Sequence, residues 1–169
     1  MSAKQIQYDW QVCSRCGGLF YTGRGHTPTC KAGDGKHPHT TEGNTNRGVQ
    51  HVPNTNTDNF PDWEESNWRF CGNCYGLFRV YDYATSFDHG MCNHAKTGSA
   101  HEAEANSAFY VLEAKVGEPS AAEAAGTYYE CSKCGGLFHD WTVTACNAGG
   151  QHEKFLYAAS VKYFLLKAK

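Results

Sequence analysis

The sequence predicts a mainly β fold made of three tandem β-hairpin units, and two observations carry this prediction. The first is a short motif, Cys-x-x-Cys-x-Gly-Leu-Phe, which begins at Cys13, Cys71 and Cys131. The starts lie 58 and 60 residues apart, and such an even period is typical of like units packed in tandem or about a pseudo-threefold axis. The second is the aromatic and β-branched residues on both sides of each motif, which favour strands.

Each motif is expected to form the turn of a hairpin. Residues 5–12 alternate between polar and apolar types, which indicates a strand that leads into the first motif. The Leu-Phe pair that ends each motif should begin the returning strand. An aromatic residue stands three positions before each first cysteine, and we expect it to cover one side of the site below: Trp10, Trp68 and Tyr128.

The segments between the motifs divide the chain. Residues 31–59 are polar and rich in Gly, Thr and Asn, which predicts a long loop or linker, and residues 117–126 predict a second linker or a short helix. Residues 108–116 and 155–166 favour strands. The first unit lacks such a closing strand, so residues 5–10 or the last strand should compensate. The predicted domains are residues 1–59, 60–118 and 119–169.

Each unit continues with a third cysteine and then a histidine. The loop before the third cysteine has 13, 17 and 11 residues, and the loop from there to the chosen histidine has 6, 8 and 5. Three thiolates and one imidazole form a closed tetrahedral zinc site, so the sequence predicts three Zn²⁺ ions in zinc-ribbon-like units. The predicted ligands are Cys13, Cys16, Cys30 and His37; Cys71, Cys74, Cys92 and His101; Cys131, Cys134, Cys146 and His152.

Some alternatives stay open at this level. His39 and His94 also lie near a third cysteine, and we prefer His37 and His101 because unit three has only His152 in that place. Glu102 and Glu153, which follow two of the predicted ligands, are expected to orient them. A disulfide framework would leave one of nine cysteines unpaired, and a redox Cys-x-x-Cys motif does not usually occur three times among Gly-rich turns.

The pattern W-x-x-C-x-x-C-x-G-L-F…C…H resembles a short tandem repeat of bacterial and fungal proteins, often found at the ends of larger secreted ones. It covers nearly all of the chain except the linkers, with Tyr128 in place of Trp and Tyr75 in place of Gly. The resemblance implies metal-stabilised repeats and implies no reaction.

Charge and hydropathy exclude some function classes. The net charge is −2 and the basic residues form no stripe, so nucleic-acid binding is not expected. No run of 18 apolar residues is present, so no membrane span is predicted. The first residues lack an apolar stretch, which gives a cytoplasmic location as the default expectation, with secretion by another route left open.

The function predicted from the sequence is a non-enzymatic zinc-binding module, and its expected partner is a glycan, as in a lectin. Repetition, aromatic side chains and polar loops suit several weak sugar sites. The alternative is a structural or protein–protein interaction module. No catalytic residue is predicted. The candidate ligand-binding residues follow each Leu-Phe pair: Tyr21, Arg79, Tyr81, His139, Asp140 and Trp141.

Overall fold

The computed structural model describes most of the three motifs and the strands around them. The described residues are 5–25, 29–30, 37–41, 46–52, 64–80, 92, 100–104, 108–116, 124–139, 145–146, 148–155 and 161–167. Within these ranges the chain forms β-strands and no helix, which confirms the mainly β prediction. Among the same residues, no helix is long and apolar enough to cross a membrane.

Eleven strands are present in the described part of the chain. They are β1 (Gln5–Val12), β2 (Leu19–Tyr21), β3 (Thr29–Cys30), β4 (His37–Pro38), β5 (Arg47–Val52), β6 (Glu64–Phe70), β7 (Leu77–Arg79), β8 (Phe109–Val116), β9 (Ala124–Glu130), β10 (Leu137–His139) and β11 (Val161–Lys167).

Three hairpins surround the three motifs, as the sequence predicts. Strands β1 and β2, β6 and β7, and β9 and β10 pair antiparallel in the same register. The aromatic residue before the motif pairs with the third residue of the returning strand in each case: Trp10 with Tyr21, Trp68 with Arg79, and Tyr128 with His139. The repeated sequence therefore gives a repeated local structure.

A third strand joins each hairpin to the others. Strand β5 pairs with β1, β8 with β6, and β11 with β9, while β5, β8 and β11 also pair with one another. All three hairpins thus belong to one nine-stranded sheet, and β3 and β4 form a separate pair. The predicted domain boundaries fall on residues outside the described ranges and stay predictions.

The polar segment 31–59 is not entirely a loop, and that expectation is wrong for β4 and β5. Strand β5 supplies the third strand of the first hairpin, where the sequence predicts residues 5–10 or the last strand. Strand β5 has a largely polar sequence with little aliphatic content, so its composition does not indicate a strand. Its Val49 is buried, at 1 % exposed. Arg47 instead donates through Nε to the hydroxyl of Tyr128 at 3.1 Å. Pairing with neighbouring strands overrides weak strand propensity here.

The segments of the other two strand predictions lie wholly or partly within the described ranges. Residues 108–116 contain β8 and residues 155–166 contain most of β11, as predicted. Of the second linker, residues 124–126 are the start of β9, and residues 117–123 lie outside the described part of the chain.

The aromatic residues before the motifs form the sheet's core and do not cover the cysteine clusters. Trp10, Trp68 and Tyr128 are 0 % exposed and belong to one apolar cluster, whereas the cysteines lie in three others. Trp10 meets Tyr110 edge-on at 5.3 Å, and Trp68 meets Tyr163 in the same way at 5.1 Å. The expectation that they shield the metal sites is therefore wrong, because their rings pack in the core of the sheet.

Candidate metal centres

Three groups of three cysteines and one histidine have their donor atoms within 4.8 Å of one another. All nine cysteines are free of disulfides and buried. We number the groups by their repeat: site 1 is Cys13, Cys16, Cys30 and His39; site 2 is Cys71, Cys74, Cys92 and His101; site 3 is Cys131, Cys134, Cys146 and His152.

The Cys-x-x-Cys turn holds the first two thiols of each site. In site 1 the N–H of Cys13 donates to the carbonyl of Gly18 at 3.0 Å, and the N–H of Gly17 donates to the carbonyl of Cys13 at 2.8 Å. The residue after the second cysteine has a positive φ in every copy, 65° at Gly17, 60° at Tyr75 and 66° at Gly135. Glycine adopts this conformation freely, which explains two of the three residues at this position.

The third cysteine and the histidine complete each group at tetrahedral spacing. The sulfurs of the first and third cysteines lie 3.8 Å apart in site 1 and 3.6 Å apart in sites 2 and 3. The sulfur of the second cysteine lies 3.6, 3.5 and 3.7 Å from the histidine Nδ1 in the three sites. Metal–sulfur bonds of about 2.3 Å, the length typical of zinc, separate two sulfurs in a tetrahedron by about 3.8 Å. The donors therefore fit one tetrahedral ion per site.

The phenylalanine that ends each motif stacks on the histidine of its own site. Ring centroids lie 4.5 Å apart for Phe20 and His39, 4.8 Å for Phe78 and His101, and 4.6 Å for Phe138 and His152. The ring planes differ by no more than 17°. The repeated Gly-Leu-Phe sequence thus fixes the orientation of each imidazole, a contact that sequence reasoning did not find.

In site 1 the structure brings His39 to the three cysteines, whereas the sequence predicts His37, whose side chain lies outside the described part of the chain, so the assignment to His37 stays a prediction. In each repeat the residue after the first cysteine donates its N–H to the carbonyl of the residue after the site histidine. The pairs are Ser14 with Thr40 at 2.8 Å, Gly72 with Glu102 at 3.1 Å, and Ser132 with Glu153 at 2.8 Å. This bond holds the residue after His39 against the Cys-x-x-Cys turn, while His37 lies in β4 opposite Cys30.

The loop lengths held a signal for this choice. With His39 the loop after the third cysteine has 8 residues, the same number as in repeat two. The 5-residue loop of repeat three is shorter because Gly149 and Gly150 turn it tightly, with φ values of 91° and 68°. His94, the other alternative, lies outside the described residues.

Interactions within each site set the charge that it carries without a metal. Hydrogen bonds with Cys16 and Cys30 lower the pKa of Cys13 well below its usual value, and interactions with Cys13 and Cys30 raise the pKa of Cys16. The pKa values of Cys71 and Cys131 are lowered in the same way by the other cysteines of their own sites. A metal-free site therefore combines thiolate and thiol sulfurs.

The histidines of sites 2 and 3 hold a proton more strongly in the metal-free protein, because their pKa values are raised. Burial lowers the pKa of His101, but hydrogen bonds with Cys71 and Cys92 outweigh burial and raise this pKa from 6.5 to about 9. The pKa of His152 also rises to about 9, where bonds with the thiols of its site outweigh burial. A cation that binds to these sites must displace protons.

The repeats contact one another through the strands that follow the motifs. The N–H of Tyr21 donates to the carbonyl of Tyr75 at 2.9 Å, that of Arg79 to Gly135 at 3.1 Å, and that of His139 to Gly17 at 2.9 Å. These bonds run from repeat one to two, two to three and three to one, so they close a ring.

A cavity of about 30 Å³ lies where the three repeats meet. The second cysteine, the motif glycine and leucine, and the site histidine of every repeat line it. Pockets for small organic ligands measure about 300–1,000 Å³, so this cavity has room for water only.

The remaining nitrogens of two site histidines contact the neighbouring repeat. His101 Nε2 lies 3.0 Å from the carbonyl oxygen of Cys134, and His152 Nε2 lies 2.9 Å from that of Cys16. The carboxylates predicted for this role have other partners, since Glu102 accepts from Asn73 at 3.2 Å and Glu153 pairs with Lys133. Backbone carbonyls replace them as the orienting acceptors.

The candidate ligand-binding residues lie at the junctions between repeats, where the structure describes them. Tyr21 packs against Trp10 and against Phe70 of the second repeat. Arg79 forms an ion pair with Glu130 of the third repeat at 3.0 Å, and His139 meets Tyr128 edge-on at 4.8 Å. Tyr81, Asp140 and Trp141 lie outside the described residues. A glycan-binding role for these six residues stays a prediction.

Comparison with models of protein families, with curated proteins and with solved structures found no match to this chain. The fold and the three buried Cys₃His groups therefore define the class as a mainly β protein that can hold metal ions.

Proposed function

We propose that the protein binds three zinc ions as structural metals and serves as a non-enzymatic binding module. The observation that carries the metal assignment is the donor set, three sulfurs and one imidazole nitrogen at tetrahedral spacing in each site. Thiolates select soft or borderline metals, and Zn²⁺ takes tetrahedral sulfur and nitrogen ligands without a geometric preference of its own.

The number of donors supports a structural role. A catalytic zinc ion normally has three protein ligands and an open position for water or substrate, whereas each site here offers four protein donors. The cysteines are at most 6 % exposed, so a substrate has little access to them. Each ion would fasten a third cysteine and a histidine, distant in sequence, to the turn of its hairpin.

Elemental analysis of metal-replete protein tests the assignment. We expect three zinc ions per chain, and two after Cys134→Ser, which removes one thiolate from site 3. Ser132→Ala, a change in the same turn at a residue that is not in the metal site, is the matched control and should retain three zinc ions. A zinc content near one in the unmodified protein, or disulfides found by mass spectrometry under native conditions, would refute the proposal.

The finer proposal is that the module binds glycans, and the alternative is a protein partner or a purely structural role. The support for glycans is the sequence alone, namely the aromatic and polar residues after each motif. Tyr21 and Arg79 already serve the junctions between repeats, so the third repeat, with Asp140 and Trp141, is the preferred surface.

A glycan array compared with Trp141→Ala and Tyr81→Ala tests this finer step. Glycan binding that Trp141→Ala removes at an unchanged melting temperature would support a sugar site in repeat three. Tyr81→Ala, the equivalent change in repeat two, should leave most of the signal. An array without any signal would leave the zinc assignment intact and favour the alternative.

A further inference from the structure

The two histidines that reach into a neighbouring repeat connect one metal site to the next. His101 of site 2 has its Nδ1 3.5 Å from a sulfur of its own site and its Nε2 3.0 Å from the carbonyl of Cys134, a residue of site 3. His152 of site 3 repeats the arrangement, with Nδ1 3.7 Å from the sulfur of Cys134 and Nε2 2.9 Å from the carbonyl of Cys16 in site 1.

The chemistry of the imidazole ring gives these contacts a direction. A histidine that binds a metal through Nδ1 must offer an unprotonated Nδ1, so its single proton sits on Nε2. That Nε2–H then donates to the carbonyl oxygen, which fixes the tautomer and the ring plane that metal binding needs. The carbonyl is therefore a positioning group for the histidine.

The position of each acceptor carbonyl depends on the neighbouring site. Cys134 and Cys16 are the second cysteines of their turns, so an ordered turn, with its two thiols on one ion, places the carbonyl where the histidine of the previous site needs it. Order in site 3 thus favours the ligating orientation of His101, and order in site 1 favours that of His152. Such coupling is reciprocal between any two sites.

The links form an open chain and not a ring. They run from site 2 to site 3 and from site 3 to site 1, and among the described contacts no bond joins His39 to the carbonyl of Cys74. The backbone bonds between repeats are present at all three junctions, so they would couple all three sites equally. The histidine contacts join only two of the three pairs of sites.

We infer that the three metal centres fill cooperatively, because carbonyls of the next site hold the rings of His101 and His152 in the orientation that metal binding needs. This inference rests on the proposed binding of three ions. His101 and His152 then have two roles, as ligands of their own sites and as contacts to the next site. His39 has only the role of a ligand in site 1.

Native mass spectrometry of the full chain at half-saturating Zn²⁺ gives the populations with zero, one, two and three ions. We expect the species with one and two ions to be at least about fivefold rarer than independent sites would give, in line with typical coupling between sites. His101→Cys and His152→Cys keep four donors per site and remove the Nε2–H donor, so they should shift the populations towards independent filling. Ser132→Ala, which removes neither a metal donor nor a bond between sites, is the control and should fill like the unmodified protein.

Each outcome bears on a different statement. Failure to reach three ions at saturation would refute the proposed function itself, whereas three ions that fill independently in the unmodified protein would overturn only the inference. Equal cooperativity in all four proteins would also overturn it, since folding alone would then couple the sites. Should both test variants lose an ion, ¹⁵N spectra of the loaded protein decide, because slowly exchanging Nε2–H signals are expected from His101 and His152, and their absence overturns the inference.

Discussion

Arg79 of the second hairpin and Glu130 of the third form an ion pair with Nη1 and Oε2 3.0 Å apart. The side chain of Glu130 is 1 % exposed and that of Arg79 is 18 % exposed. Arg79 also donates to the hydroxyl of Tyr163 at 3.2 Å, so it joins β7, β9 and β11. Removal of one partner from a buried pair leaves an uncompensated charge.

We therefore expect Glu130→Ala to lower the free energy of unfolding by about 3–5 kcal/mol. Urea denaturation of the metal-loaded protein measures this change. Glu153→Ala, which breaks the exposed pair with Lys133, is the control and should have a much smaller effect. Similar losses for both variants would show that Glu130 is not the buried partner we describe.

The identity of the histidine in site 1 gives a second prediction. His39→Ala should reduce the zinc content from three ions to two, because His39 Nδ1 lies 3.6 Å from the sulfur of Cys16. His37→Ala should leave three ions, since the site already has four donors without it. Elemental analysis of the two proteins side by side decides, and the reverse result would restore the ligand predicted from the sequence.

The sequence predicted the hairpins and the cysteine groups because both depend on short-range patterns. Three cysteines per repeat at matching spacing leave few ways to build a tetrahedral site, and the Leu-Phe pair marks the returning strand. The choice of His39 depended on a backbone bond between Ser14 and Thr40, 26 residues apart. Strand β5 was missed because its partners, and not its own polar sequence, make it a strand.

The sequence also did not show the role of the aromatic residue that stands before each motif. Trp10 stands three residues before a cysteine, yet its ring lies in the sheet core against Tyr110. Alternation along β1 places Trp10 and Val12 on the buried side, but only the contacts of Trp10 with Phe70 and Tyr110 show which elements lie against that side. Tertiary contacts of this kind leave no local pattern.

The turn after each second cysteine gives a third prediction. Gly135 has a φ of 66° and lies beside Cys134, so Gly135→Ala should cost about 1–2 kcal/mol of stability through left-handed strain. The same change should weaken metal binding at site 3, because the N–H of Gly135 holds the turn through the carbonyl of Cys131.

Gly25→Ala is the matched control for this change. Gly25 has a φ of 76° and no atom within 4 Å of an added Cβ, so it brings similar strain without a metal site nearby. Thermal denaturation should show a loss in both variants, and competition with a chromogenic chelator should show weaker binding only in Gly135→Ala. If Gly135→Ala and Gly25→Ala compete equally with the chelator, the turn at Gly135 does not contribute to metal affinity.

The stacked ring on each site histidine gives a fourth prediction. Phe138→Leu keeps an apolar side chain but removes the ring that lies 4.6 Å from the imidazole of His152. We expect faster zinc transfer from site 3 to a chelator, because the imidazole then leaves its ligating orientation more often. Leu137→Met, in the core beside it, should change stability by less than about 1.5 kcal/mol and leave the transfer rate unchanged.

Acid should release the metals and unfold the protein, and this fifth prediction follows from the protons that each state binds. Cysteine in the unfolded chain has a pKa near its ordinary value, whereas metal-bound sulfurs and Nδ1 hold no protons. The folded, loaded protein therefore binds fewer protons than the unfolded chain, so its stability is lost as pH falls. In the metal-free site 2 two shifts oppose each other: the raised pKa of His101, about 9, stabilises the fold as pH falls, whereas the lowered pKa of Cys71 destabilises it.

The release of zinc identifies the effect of the metal in this experiment. Between about pH 8 and pH 5, the melting temperature of the zinc-loaded protein should fall, with zinc appearing in solution over the same interval. The chelator-treated protein should begin at a much lower melting temperature and release no zinc over this interval, because it has no metal to lose. If chelation leaves the melting temperature and the circular dichroism unchanged at every pH, the metals do not hold this fold together, and the sheet core around Trp10 and Trp68 must be sufficient by itself.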